Sequence, residues 1–262
     1  PVLRVRGRRV DAVMPQEGGN TMTRVRRKIL FISGLYHPNE RGGAQKVVRA
    51  LAEGMLEHDH LPVVVTTHDG AGDRVAQVNG VKVHYLGLKN IYGIDMHQSR
   101  PAFAKVLWHG VNRYNPLMAR AAARVLDAER PDVVNTHNLL GFSCAVWNAV
   151  KSRRVPLVHT LHDYALMCPK TSMFAGGENC RGQCRLCSLY TSPAKRLSQS
   201  VGHVVGVSAF TLNRHLEAGY FVGPVTRRRL AEIKQSRVAA AGQVTTVNVQ
   251  DPAAVESEHR LV

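Results

Sequence analysis

Between Lys28 and Tyr220, short unbroken apolar runs alternate with segments patterned as helices. The first run, Ile29 to Ile32 in "KILFISGLYHP", is closed by Gly34 and Pro38. A strand buried on both faces reads this way, whereas a half-exposed strand alternates apolar with polar residues. The next segment, "NERGGAQKVVRALAEGMLEHDH", spaces Ala44, Val47, Val48, Leu51, Met55 and Leu56 three and four residues apart. That spacing predicts an amphipathic helix opening at Gly42-Gly43. A second strand is expected over Val63–Thr66, ended by Asp69-Gly70, and a third, shorter one in "GVKVHYLGL". Residues 90–115 are the least regular part and should hold a loop plus a helical segment. Asn115 is a good N-cap and Pro116 suits a first helical position, so a helix with Leu117, Ala121, Val125 and Leu126 on its apolar face should end near Arg130-Pro131. "PDVVNTHNL" reads as a strand, "LGFSCAVWNAVKSRR" as a helix and "VPLVHTLHD" as a strand. "GHVVGVSAFTLNRHLEAGY" reads as a strand followed by a helix capped by Ser208.

This order predicts the α/β class, with a Rossmann-like parallel sheet covered by helices on both faces. Ligands of such sheets bind outside the carboxyl ends of the strands. Four histidines fall there: His37, His68, His137 and His162.

The chain has 262 residues, 44% of them hydrophobic, enough for a sizeable core. No apolar stretch approaches the roughly 18 residues of a membrane span. The opening "PVLRVRGRRVDAVMPQEGG" is basic and lacks the apolar segment of a signal peptide. Residues 1–26 are expected to be a disordered or non-native leader, with a natural start available at Met22. The net charge is +16. Residues 1–28 hold eight Lys/Arg against two Asp/Glu, and beyond them the excess is scattered with no interleaved aromatics. That distribution argues against a dedicated nucleic-acid reader and leaves room for phosphates or the peripheral surface of an anionic membrane. Residues 223–262 carry only a weak helical patch and no aromatic residue, which predicts a poorly ordered or aberrant tail. Five cysteines, an odd number without an export signal, point to reduced thiols in the cytoplasm.

Gly42-Gly43 opens a helix directly after a strand, where backbone N–H groups can hold a phosphate; an ordinary strand-to-helix turn reads the same way. It is not a dinucleotide fingerprint, since G-x-G-x-x-G is absent. His162 and Asp163 end one strand, and His137 and Asn138 end another. Each could meet a sugar hydroxyl or serve as a structural side chain. His159 lies inside its strand and is expected to be structural. Cys168, Cys180, Cys184 and Cys187 are spaced C-x11-C-x3-C-x2-C. Four thiolates can close a tetrahedral zinc site, but this spacing is not a standard two-knuckle pattern; reduced loop thiols or a disulfide are the other readings.

Taken together, "ILFISGLYHPNERGGAQKVVRALAEGM", "PDVVNTHNL", "PLVHTLHDYALMCP" with its cysteine-rich continuation, and "VVGVSAFTLNRHLEAGY" resemble the N-terminal, acceptor-side domain of family 4 retaining glycosyltransferases, which have the GT-B fold. The resemblance covers about residues 27–222. It implies that Gly42-Gly43 lies near the phosphates of a nucleotide-sugar donor, that His162 is the catalytic-side histidine beside the transferred sugar, and that His137, Asn138 and Asp163 line the acceptor side of the cleft. It implies a glycan or lipid-linked hydroxyl acceptor and no required cofactor. Such enzymes also use a second, nucleotide-binding domain with an Arg/Lys pair and an E-x7-E motif. Neither motif follows residue 222, and the 40 residues there are too few for that domain. The expectation is therefore an acceptor-side half with little activity alone, whether truncated, read out of frame or split from a separate donor-domain chain. The alternatives are a non-catalytic acceptor- or partner-binding subunit and a zinc-stabilised interaction domain.

Overall fold

The computed structural model describes residues 25–222 and the backbone of 245–248. Nearly all of the expected leader and most of the expected tail lie outside these residues. The elements in chain order are β1 (Lys28–Ile32), α1 (Gly43–Glu57), β2 (Leu61–His68), β3 (Arg74–Val78), β4 (Val81–Gly87), α2 (Ala102–Arg113), α3 (Pro116–Glu129), β5 (Val133–Thr136), α4 (Ala145–Lys151), β6 (Leu157–Leu161), β7 (Phe174–Ala175), β8 (Glu178–Asn179), α5 (Arg185–Leu197), β9 (His203–Gly206), α6 (Ala209–Glu217) and β10 (Thr245–Asn248).

One sheet of eight strands runs in the order β10-β9-β6-β5-β1-β2-β4-β3. The six inner strands pair in parallel, and β3 and β10 close the two edges antiparallel. The strands that read as unbroken apolar runs are the ones buried on both faces. Leu30 and Ile32 of β1, with Val63 and Val65 of β2, enter one core beside Met118 and Val125 of α3 and Trp147 of α4. Phe31 and Val64 point the other way and pack with Val48 and Ala52 of α1. The sheet is thus the Rossmann-like arrangement expected, with helices on both faces.

Local chemistry sets several boundaries as read. The Asn115 side chain accepts the Met118 N–H at 3.1 Å, and Pro116 follows it in the first turn of α3. Arg130 ends that helix in the left-handed region, just before Pro131. Ser208 accepts the Thr211 N–H at 3.2 Å to start α6.

Four features differ from expectation. The edge strand β3 went unread because it is exposed and lacks the unbroken apolar run of the inner strands, although Asn79-Gly80 supplies two positive φ angles for a tight hairpin into β4. Helix α4 is shorter than "LGFSCAVWNAVKSRR", because Gly141 (φ 86°), Ser143 (φ 62°) and Arg154 (φ 55°) interrupt helical geometry on either side. Helix α5 opens in the last three residues of the expected cysteine-rich loop 168–187 and runs ten residues past it, where no helix was expected, despite Pro193 within it. In α1 the buried stripe is Gln45, Val48 and Ala52, while Val47 and Leu51 stay partly exposed.

Candidate active site

The sheet order reverses between β1 and β5: the chain leaves β1 toward β2 and β4 on one side, then crosses back to β5 and β6 on the other. The carboxyl ends of strands flanking such a reversal leave a crevice, because their following loops diverge. The loops after β1 and β5 meet there closely. The Gly34 N–H donates to Asn138 O at 2.7 Å. A Cβ at Gly34 would lie 2.3 Å from Leu140 O, so this approach requires glycine.

On the β5 side, the His137 N–H donates to Ile32 O at 2.9 Å, which seats the residue at the strand end. Its Nδ1 lies 2.8 Å from Nε2 of His162, which follows the neighbouring β6. The two rings stack with centroids 5.1 Å apart. Asn138 Nδ2 donates to Asp163 Oδ2 at 3.2 Å, and Asp163 Oδ1 accepts the Ala165 N–H at 2.8 Å. Two strand ends are therefore tied by two side-chain bridges, histidine to histidine and amide to carboxylate.

Burial sets the protonation states here. It lowers His162, and it lowers His137 to about 3 with a further push from His162. Asp163 is raised by burial, against the opposing hydrogen bonds from Ala165 and Asn138. A neutral imidazole pair beside a partly shielded carboxyl is the result at neutral pH.

His162, Asn138 and Asp163 form a wall between two cavities. The outer one is an open cleft of about 560 Å³ whose opposite side is Arg41, Gly42, Gly43 and Gln45 at the start of α1. Gly42 is extended, no side chain among the described residues caps the helix, and its first turn carries no acidic residue. The first N–H groups of a 15-residue helix are thus left to an anion. A Cβ at Gly43 would meet nothing within 4 Å, so packing inside the domain does not demand glycine there. Bare backbone at this position leaves space for a ligand. The inner cavity, about 140 Å³, is lined by His109 and Arg113 of α2, His137, and Tyr190 and Thr191 of α5.

Among the residues expected from the sequence, Gly42, Gly43, His162, Asn138 and Asp163 share the outer cleft, and His137 supports them from the inner side. His37 and His68 line neither cavity. His68 organises its own turn, bonding Gly70 N and Gly72 O. His159 is buried against Trp147 and bonds Thr136 Oγ1 at 2.9 Å, the structural role expected. Arg41, Gln45, Arg113 and Tyr190 were not anticipated. Gln45 carried a signal, a polar residue in register with the buried stripe of α1.

The four cysteines are all free thiols. Cys184 caps α5, accepting the Cys187 N–H at 3.4 Å, and this bond lowers its pKa. Cys187 is raised, by burial first and then by the neighbouring Cys184 and Cys168. Among the described residues no group of three or more His, Cys, Asp or Glu is placed to hold a metal ion.

A curated relative, the "Uncharacterized 42.6 kDa protein in cps region" of Klebsiella pneumoniae, is 34% identical over 194 residues, which cover 74% of this chain and 52% of that one. The chain therefore spans about half the length of that relative. Among solved structures, sucrose-phosphate synthase from Thermosynechococcus elongatus aligns at 15% identity over 67% of this chain and 41% of its own, with a TM-score of 0.45. The α,α-trehalose 6-phosphate synthase from Burkholderia multivorans aligns at 11% identity over 67% of this chain and 37% of its own, with a TM-score of 0.36. The family model for glycosyltransferase family 4 matches residues 41–226, a span that contains the Gly42-Gly43 turn, both strand-end bridges and α6. The chain belongs to glycosyltransferase family 4.

Proposed function

We propose that residues 27–222 are the acceptor-side half of a GT-B transferase that moves a sugar from a nucleotide-sugar to a hydroxyl of a glycan or lipid-linked acceptor, with retention of configuration. The observation that carries this reading is a single cleft shared by the uncapped α1 N-terminus and the His162, Asn138 and Asp163 wall. The helix N–H groups and Arg41 would stabilise the departing nucleoside diphosphate, where negative charge grows as the glycosidic bond breaks. His162 bonds His137 through Nε2, which leaves its Nδ1 for a sugar hydroxyl or the anomeric region. Asn138 and Asp163 would orient acceptor hydroxyls. The chemistry needs no cofactor, and the nucleotide-sugar is a substrate. The relative named for a cps region favours a polysaccharide-building context.

The test is transfer of radiolabelled sugar from a panel of nucleotide-sugars to polyprenyl-phosphate-linked acceptors, by the protein alone and with a donor-domain chain added. Transfer that is lost in His162→Ala supports the reading. Acceptor binding without transfer under either condition would replace it with a non-catalytic acceptor-binding subunit.

A further inference from the structure

Helix α5 opens on Cys184-Arg185-Leu186-Cys187, a C-x-x-C pair in its first turn. Residues three apart at a helix start face the same side, and joining their sulfurs needs little backbone movement. The two thiols are unlike. Cys184 is exposed, and its Sγ accepts the Cys187 N–H at 3.4 Å at the positive end of the helix. That contact favours the thiolate, and the pKa is lowered. Cys187 packs against the core, where burial above all, then the neighbouring sulfurs, pushes its pKa up. An exposed thiolate-prone sulfur followed one turn later by a shielded thiol is the arrangement of an attacking and a resolving cysteine.

Capping and packing do not account for the pair. Serine, threonine or aspartate caps a helix better than cysteine, and free cysteines are ordinarily buried. Among the described residues no group of three or more ligands gathers around the pair to hold a metal ion. The pair is also held in place. Gln183, just ahead of it, donates from Nε2 to Met167 O and Thr191 Oγ1, each at 2.8 Å, which pins the helix start to the turn after β6. Cys168 of that turn is buried and adjoins Cys187 on the side away from solvent. Cys180 lies outside the helix, its N–H donating to Met173 O and its carbonyl accepting Arg214 Nη2.

We propose that Cys184 and Cys187 form a redox-active dithiol that exchanges with low-molecular-weight disulfides, Cys184 attacking and Cys187 resolving. The Cys184 thiolate bonds one sulfur of the small disulfide and expels the other as a thiolate. Capture of Cys184 in this mixed disulfide removes one of the charges that hold Cys187 protonated. The Cys187 sulfur, its proton given to solvent, then attacks Cys184 Sγ, closes the intramolecular disulfide and expels the second thiolate. Two protein thiols are oxidised and the small disulfide is reduced to two thiols, which take up the two protons. The inference goes beyond the transferase reading and stands without it. It places the pair at the start of the helix whose Tyr190 and Thr191 wall the cavity behind His162.

The experiment takes the full chain, reduced and desalted, adds glutathione disulfide, and follows each cysteine by alkylation and peptide mass mapping. Glutathione should pass transiently through Cys184 and leave a Cys184–Cys187 disulfide, with Cys184 consumed at least about tenfold faster than Cys180. Cys187→Ser should stop with one glutathione held on Cys184. Cys184→Ser, which keeps a good helix cap, should lose the fast phase and retain the thermal midpoint. Cys184 reacting no faster than Cys180, glutathione held on Cys184 in the unsubstituted chain, a Cys168–Cys187 bond as the product, or reaction that starts only once a zinc chelator is added would each overturn the proposal.

Discussion

His137 Nδ1 and His162 Nε2, 2.8 Å apart, join the ends of the paired strands β5 and β6 through one shared proton. Only one of these two nitrogens can carry hydrogen in that contact, so the pair fixes both tautomers together. His137 is fully buried and its Nε2 has no partner among the described residues, which leaves His162 as the member that faces the cleft.

Replacing His162 with alanine should therefore lower sugar transfer about a hundredfold or more, the usual scale for removing a positioned acid-base or hydrogen-bonding group. Nucleoside diphosphate binding at the glycine turn should change only a few-fold. Initial rates and calorimetric titration measure the two quantities, and undiminished transfer would remove His162 from the site.

Gly42→Asp separates helix capping from anion binding. Aspartate at an N-cap, beside the positive end of the helix dipole, should leave stability unchanged or raise it by about 0.5 kcal/mol. The same carboxylate would occupy the N–H groups and repel a diphosphate. Tm should hold or rise while diphosphate affinity falls at least about tenfold. Affinity equal to wild type would show that the turn is only a turn.

Acid should destabilise the fold well above the carboxylate range. Burial holds His137 at about 3 and His215 at about 4, and keeps His159 well below its usual value. In the unfolded chain each takes a proton near 6.5. The folded pKa values are depressed, so the native state stays neutral while the unfolded state charges. Stability is fully present above about pH 7 and lost as pH falls from there toward 4. Three such groups together give a slope of about 4 kcal/mol per pH unit near pH 5. Urea midpoints measured between about pH 7.5 and about pH 5.5 should fall steeply. His215→Phe should flatten the slope by about a third. A flat profile would contradict the burial of these rings.

At the opposite end of the sheet, Glu129 receives Lys28, Lys82 and His84 on one carboxylate. Burial pushes its pKa up, but these hydrogen bonds prevail and hold it at about 2. Glu129→Gln should cost about 2 kcal/mol, less than a fully buried pair because both lysines reach water. Chemical denaturation gives the value, and diphosphate binding should not change. A loss of binding with intact stability would mean that this end of the sheet communicates with the cleft.

Much of this architecture was legible because its signals are short-range. Asn115 and Ser208 act on N–H groups three residues away, and a strand buried on both faces must be apolar at every position. Helix α5 was not legible. Its position is held by Arg113 and by the contacts of Thr191 and Gln183 with Tyr220, groups remote in sequence, and Pro193 argued locally against it. The hairpin into β4 left a local signal in Asn79-Gly80, but the exposed β3 has no unbroken apolar run and was not read as a strand.

The parallel α/β class, the helix starts and the glycine turn follow from residues within a few positions of one another. Their energies are local and need no knowledge of strand order. The roles of the histidines do not follow in this way. His37, His68, His137 and His162 each end an apolar run and look alike in the chain. Only the reversal of strand order between β1 and β5 separates them. It sets His137 and His162 side by side behind the α1 N-terminus and leaves His68 to its own turn, because a crevice forms only where the loops of neighbouring strands part.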